Sequence, residues 1–131
     1  MRLLFAAAVF SFALVSVAHA DGVMSLAGSE WGEGIASGPA DVMVKFEQGN
    51  KVWGRLGCNR FTGTYSQNDY GLSFGPLATT RMACPEPQMK TEQRVSAALA
   101  ATREADISHL KLVLKDGAGT ALLTLQRRDF D

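Results

Sequence analysis

From Asp41 onward the chain alternates apolar and polar residues with a period of two, and tight-turn residues interrupt the alternation at short intervals. Val42, Val44 and Phe46 alternate with Met43, Lys45 and Glu47, the pattern of a half-buried strand. Gly49-Asn50 marks a hairpin turn, after which Val52, Gly54 and Leu56 share one face while Trp53 and Arg55 share the other. Phe61, Gly63 and Tyr65 alternate with Thr62, Thr64 and Ser66; Asn68-Asp69-Tyr70-Gly71 then turns the chain into a short strand at Leu72-Ser73-Phe74. Near the end, Leu110, Leu112 and Leu114 face one way and His109, Lys111, Val113 and Lys115 the other. Asp116-Gly117-Ala118-Gly119 leads from that run into Ala121, Leu123 and Leu125, a closing hairpin. Strands joined by turns this tight pair antiparallel, because a parallel crossover consumes a dozen or more residues.

One helix interrupts the alternation. Pro85-Glu86-Pro87 opens it, since proline fits a first turn whose N–H groups have no helical partner. Thr91, Val95, Ala98, Leu99 and Thr102 then fall on one stripe. Glu86 suits the positive end of the helix and stands four residues before Lys90, a pairing distance. The expected fold is therefore α+β: a small curved antiparallel sheet, a meander or partial barrel, with one helix packed on it. Gly54, Gly57 and Gly63 permit the bends such a sheet needs. The Gly- and Ser-rich stretch from Gly22 to Ala40 reads as loop, with a short strand near Leu26–Trp31. Its Gly32-x-Gly34 lacks the third glycine of a dinucleotide fingerprint, because position 37 is Ser. Trp31 and Trp53 read as packing residues.

The first twenty residues follow a different logic. Met1-Arg2 supplies a positive start, Leu3 to Val17 carries no charge, and Ala18-His19-Ala20 is a small-x-small site. That is the pattern of a secretory signal peptide cleaved after Ala20, and the apolar run is short of the roughly 20 residues a spanning helix needs. The expectation is a signal peptide at residues 1–20 and a single domain at 21–131, exported to the periplasm or secreted. No Cys lies near the cleavage site, so no lipid anchor is expected after processing.

Composition excludes several functions. Lys and Arg total 13 against 13 Asp and Glu, a balance that argues against nucleic-acid binding. Cys58 and Cys84 are the two cysteines, too few for a four-ligand zinc site, and neither CxxC, HxxxH nor EF-hand spacing occurs. Neither metal nor cofactor is expected. After export, His109 is the one remaining histidine; it sits among charged neighbours with no Gly-x-Ser-x-Gly elbow elsewhere, so no catalytic residue is assigned. Export instead favours a Cys58–Cys84 disulfide, worth about 3.5 kcal/mol by loop-closure entropy. That bridge would gather Asn59, Arg60, Thr80 and Arg81 into a patch suited to an anionic ligand or partner, since Arg presents a planar donor fork. The bland alternative is that Asn59 satisfies turn backbone and that Arg55, Arg60 and Arg81 are solvated.

Two blocks carry a more specific signal. Gly57-Cys58-Asn59-Arg60-Phe61-Thr62-Gly63-Thr64-Tyr65 is followed by Leu72-Ser73-Phe74-Gly75-Pro76-Leu77-Ala78-Thr79-Thr80-Arg81-Met82-Ala83-Cys84-Pro85, with Met89 and Glu92 in the helix. The chain resembles the META domain family, which includes the heat-inducible HslJ lipoproteins of bacterial envelopes. The resemblance extends more weakly to Trp31, Phe46, Val52, Gly54, Leu110 and Leu112. It implies a small α+β fold and a link to envelope stress and heat induction, and it carries over no catalytic residue. The expected function is that of a non-enzymatic, monomeric envelope protein that binds an envelope protein or an anionic ligand. The rivals are an inhibitor of a hydrolase, such as a lysozyme or protease, and a structural or holdase-like stress protein.

Overall fold

The computed structural model describes residues 8–14, 23–34 and 38–129. In chain order the elements are β1 (Glu30–Gly32), β2 (Val42–Glu47), β3 (Lys51–Leu56), β4 (Arg60–Asn68), β5 (Gly71–Phe74), β6 (Ala78–Thr79), α1 (Glu86–Ala101), β7 (Glu104–Ile107), β8 (Lys111–Lys115) and β9 (Ala121–Arg127). Every pairing among them is antiparallel. The order around the sheet is β3-β2-β1-β9-β8-β7-β5-β4, and β4 pairs back with β3. The sheet expected to be a meander or partial barrel is therefore a closed barrel of eight strands, with β6 added to the outer edge of β4. Closure removes the exposed strand edges that an open sheet presents.

Strand β4 makes closure possible. Its first half pairs with β3, Arg55 opposite Arg60 through Lys51 opposite Thr64, and its second half pairs with β5. One long strand thus belongs to both walls of the seam. The pairing is completed elsewhere by two short links. Strand β1, only three residues, fits between β2 and β9. Strands β5 and β7 meet at Gly71 and Glu104, reinforced by Leu72 N–H to the Arg103 carbonyl and Ala105 N–H to the Tyr70 carbonyl.

The alternation read from the sequence holds where the turns are tight. Val52, Gly54 and Leu56 are buried and Lys51 and Trp53 exposed; Phe61 and Tyr65 are buried between exposed threonines. The interior is filled by Trp31, Phe46, Phe61, Leu26, Leu56, Leu72, Leu99, Leu112, Leu114 and Leu125, all fully buried. An eight-stranded barrel is narrow enough for side chains alone to fill it. The Phe46 and Tyr65 rings meet nearly perpendicular, at 4.9 Å between centroids, a favourable aromatic geometry. Burial also pushes the Tyr65 phenol upward in pKa, and its hydroxyl donates to the Glu47 carbonyl.

Helix α1 touches β3 and β5 on one side of the barrel and β8 and β9 on the other, so it lies across one end. Val95, Ala98 and Leu99 enter the core, and Thr102, also buried, donates from its hydroxyl to the Ala98 carbonyl. Arg103 donates to the Ala100 and Thr102 carbonyls at the helix C-terminus, where cations are favoured. The Glu86–Lys90 pair forms at 3.4 Å on the solvent face.

Several expectations are corrected. The entry strand is Glu30–Gly32 rather than Leu26–Trp31; Leu26 is buried in a loop, where its N–H donates to the Gln67 side chain. Leu110 was expected on the buried stripe, but it lies in the turn before β8 and is 55% exposed. Ala121 is likewise exposed, because a bulge between β8 and β9 shifts the register and brings Leu122 against the core instead. Trp31 is a core residue, whereas Trp53 stands 38% exposed on the outer wall of the barrel. Strands β6 and β7 carry no alternation long enough to announce them. The expected signal peptide is only partly described: residues 8–14 form no regular structure, with Val9, Phe10, Phe12 and Leu14 exposed, and the Ala18-His19-Ala20 site lies outside the described residues.

Candidate functional site

The turn between β3 and β4 organises the site. Leu56 N–H donates to the Asn59 carbonyl, leaving Gly57-Cys58 as a two-residue connection. Gly57 holds φ +90°, which only glycine adopts readily, and a Cβ there would stand 2.6 Å from the Thr91 side chain. The helix thus packs directly on the turn. Cys58 is buried and bonded to Cys84, with Cα atoms 6.0 Å apart, which ties the turn to the segment leading into α1.

Asn59, 3% exposed, uses its side chain to bind that same segment. Its Oδ1 accepts from the Met82 N–H at 2.7 Å and from the Thr80 hydroxyl at 2.9 Å, and its Nδ2 donates to the Met82 carbonyl at 3.3 Å. Its backbone N–H donates to Glu92 of α1 at 3.0 Å, and the Arg60 N–H donates to the Thr80 hydroxyl at 3.0 Å. The two sequence blocks are therefore two halves of one latch: a disulfide, an asparagine clamp and a helix carboxylate. Asn59→Ala should remove three hydrogen bonds from a buried side chain and leave the part-buried Met82 N–H without its partner, lowering stability by about 1–3 kcal/mol, measured by chemical denaturation. Asn59→Asp retains the acceptor and should lose less.

The structure divides the four residues expected to form a patch. Asn59 is internal and Thr80 is committed to the latch through its hydroxyl, whereas Arg60 and Arg81 are exposed. The two arginines share the Thr79-Thr80 segment but open onto different grooves. Arg81 lines one of about 430 Å³ with Met82, Ala83, Met89 and Glu92. Arg60 lines another of about 450 Å³ on the outer wall, with Trp53, Arg55, Thr62, Ala78 and Thr79. In that wall Arg55 stands directly opposite Arg60, and Trp53 directly opposite Thr62, which in turn faces Ala78.

The remaining charges are arranged differently. Arg94 holds Glu33 through both guanidinium nitrogens, tying α1 to the loop after β1. Arg127 holds Asp129, and its guanidinium lies 5.5 Å from the Trp31 ring centre. Burial pushes the Asp129 carboxyl upward, but the hydrogen bonds from Arg127 and from backbone N–H groups outweigh it and leave the group below the usual carboxylate range. Arg128 holds the buried Asp41 carboxylate with two bonds and donates to the Glu33 and Gly34 carbonyls. By contrast, Arg55, Arg60 and Arg81 make no ion pair among the described residues; Arg55 donates to the Gly38 carbonyl at 3.3 Å. The sequence singled out these three cations and set Trp53 on the same strand face as Arg55, but read the indole as a packing residue; in the structure it is partly exposed beside Arg55 and Arg60. His109 is exposed in the turn before β8, remote in sequence and strand order from Cys58, whose sulfur is held in the disulfide. Among the described residues no group of three His, Cys, Asp or Glu could hold a metal ion, and no helix is long and apolar enough to cross a membrane.

Fold and site together define a disulfide-latched antiparallel barrel, capped by one helix, whose exposed cations flank the latch. The chain belongs to the META domain family, whose model matches residues 22–129. It is similar to a protein from Burkholderia xenovorans solved by NMR, at 25% identity and a TM-score of 0.67, over 80% of this chain and 85% of that one. A second NMR structure shares the fold at 23% identity and a TM-score of 0.60, covering 79% of this chain and 90% of its own. None of the curated proteins matches the chain significantly.

Proposed function

We propose that this chain is an exported, non-enzymatic META domain protein that binds an envelope partner or anionic ligand through the basic face around its latch. The observation that carries the reading is the contrast among cations: Arg94, Arg127 and Arg128 hold carboxylates, whereas Arg55, Arg60 and Arg81 flank a rigid crosslink without one among the described residues. Unpaired guanidinium groups on a preorganised surface suit carboxylates and phosphates, which they bind with two parallel hydrogen bonds. Export draws support from the charged start, the apolar run and the Ala18-His19-Ala20 site, together with a disulfide of the kind that persists in oxidising compartments. The apolar residues at 8–14 also stand outside the barrel core.

The test is in-cell crosslinking of the exported protein, followed by mass spectrometry. Processed protein should begin at Asp21 by intact mass and should yield a reproducible crosslinked partner or a bound anion. Arg60→Ala/Arg81→Ala should keep its melting temperature, as most surface substitutions do, and lose that partner. A retained Met1, or full capture by the double variant, would overturn the reading.

A further inference from the structure

The outer wall over β3, β4 and β6 combines features that a merely solvated surface does not require. Arg55 and Arg60 face each other directly across the β3–β4 ladder. Like charges in that position repel and destabilise the pair of strands. Neither side chain is relieved by a carboxylate among the described residues. Two residues along the same face of β3 stands Trp53, partly exposed, with its indole N–H held by Glu47 at 3.0 Å. That bond favours one orientation of the indole before any ligand arrives. Beside it, Thr62 offers a hydroxyl and Ala78 a small side chain, so the groove stays open next to the indole. Its volume of about 450 Å³ falls within the range of small-molecule sites.

The pleat sets the spacing. Residues two apart on one strand face are separated by roughly 7 Å, and neighbouring strands by roughly 4.8 Å. The strand positions of the two arginines and of Trp53 thus lie about one sugar ring apart, and the Arg55 guanidinium, which donates to the Gly38 carbonyl at 3.3 Å, and that of Arg60 both line the groove: a pyranose over the indole can reach the arginines with an exocyclic acidic group. An indole face suits the C–H face of such a ring, and paired guanidiniums suit a carboxylate or phosphate. A bare anion would leave the indole unused, and a neutral sugar would leave the two cations in mutual repulsion.

We propose that this groove binds an acidic saccharide, a pyranose carrying a carboxylate or phosphate, with Trp53 as the stacking surface and Arg55 and Arg60 as the anion clamp. The inference rests on the binding role proposed above and names the ligand class for one of its two grooves.

Glucose 6-phosphate and glucuronate serve as probes, followed by calorimetry and by the emission of Trp53, the exposed tryptophan. Both should bind saturably, at least roughly tenfold more tightly than glucose or inorganic phosphate, and binding should weaken as salt screens the charges. Which probe binds better tells a phosphorylated sugar from a carboxylated one. Arg55→Gln/Arg60→Gln should lose about tenfold or more in affinity while its melting temperature holds or rises, because the repulsion is removed with the charges. Trp53→Ala should lose binding by calorimetry. Absence of saturable binding, phosphate alone binding as tightly as the sugar phosphate, a short glutamate peptide binding equally well, or unchanged affinity in the arginine variant would each overturn the proposal. The crosslinking experiment reads the binding role separately: a partner captured through Arg60 and Arg81 by a protein that ignores both sugars would remove the saccharide and leave that role standing.

Discussion

Gly54→Ala is expected to destabilise the barrel by roughly 3 kcal/mol or more, a cost at the upper end for overpacking. Gly54 sits in β3 opposite both Val44 and Phe61, where β3 joins the two walls of the closed sheet. A Cβ at this position would lie 2.0 Å from the Met43 carbonyl oxygen and 2.7 Å from the Phe61 ring. The ring has room to rotate only into neighbours that already fill the interior, and the carbonyl belongs to the β2 backbone. Relief therefore requires the β2–β3 ladder to shift at the strand that seals the barrel. Thermal unfolding followed by circular dichroism should show a fall in melting temperature of 10 °C or more, on the order of 4 °C per kcal/mol for a domain of this size. A variant with the parent's melting temperature would show that this seam tolerates a side chain.

Loss of the Cys58–Cys84 bridge is expected to have an effect of similar size. With a sequence separation of 26, the loop it closes corresponds to about 3.5 kcal/mol of chain entropy removed from the unfolded state. Because the bridge lies beside the Asn59 clamp, the two contributions should not add. Cys84→Ser frees the Thr80–Met82 segment in the unfolded chain but leaves the asparagine to hold it in the folded one. The expected result is a melting temperature lower by roughly 10 °C or more with the barrel's far-ultraviolet spectrum retained below the transition. Cys84→Ser combined with Asn59→Ala should lose more than the sum of the single effects, because each single variant keeps the other tie on the segment. Native protein alkylated without reductant should label at neither cysteine; two labelled thiols would refute the bridge in solution.

Local rules carried the sequence reading as far as local rules operate. The alternation in Val42–Glu47, Lys51–Leu56 and Arg60–Tyr65 gave the strands and their inward faces, because the side-chain period of a strand is two whatever it pairs with; Met43, read on the polar face of β2, is the exception and is buried. Pro85-Glu86-Pro87 announced the helix start, and the turn residues announced the hairpins, because these depend on backbone dihedrals within a few positions. The cysteine pairing followed from count and expected compartment.

Tertiary structure decided the rest, and each case depends on partners distant in sequence. Strand β1 has three residues and no alternation of its own; it is a strand because β2 and β9 satisfy its backbone on either side. A single bulge exchanged Ala121 for Leu122 at the core, a one-residue shift that no periodicity records. The alternation set Trp53 on the face opposite Val52 and Leu56, but only the pairing of β3 with β4 put Arg60 and Thr62 beside it and left the indole partly exposed. The two halves of the motif were legible as a pair, yet only the fold showed that they form a latch and turn Arg60 and Arg81 onto separate grooves. Sequence by itself determined the faces of the strands, since those are set by neighbours along the chain; closure, register and the grooves were left to the tertiary structure, since they are set by which strands meet across it.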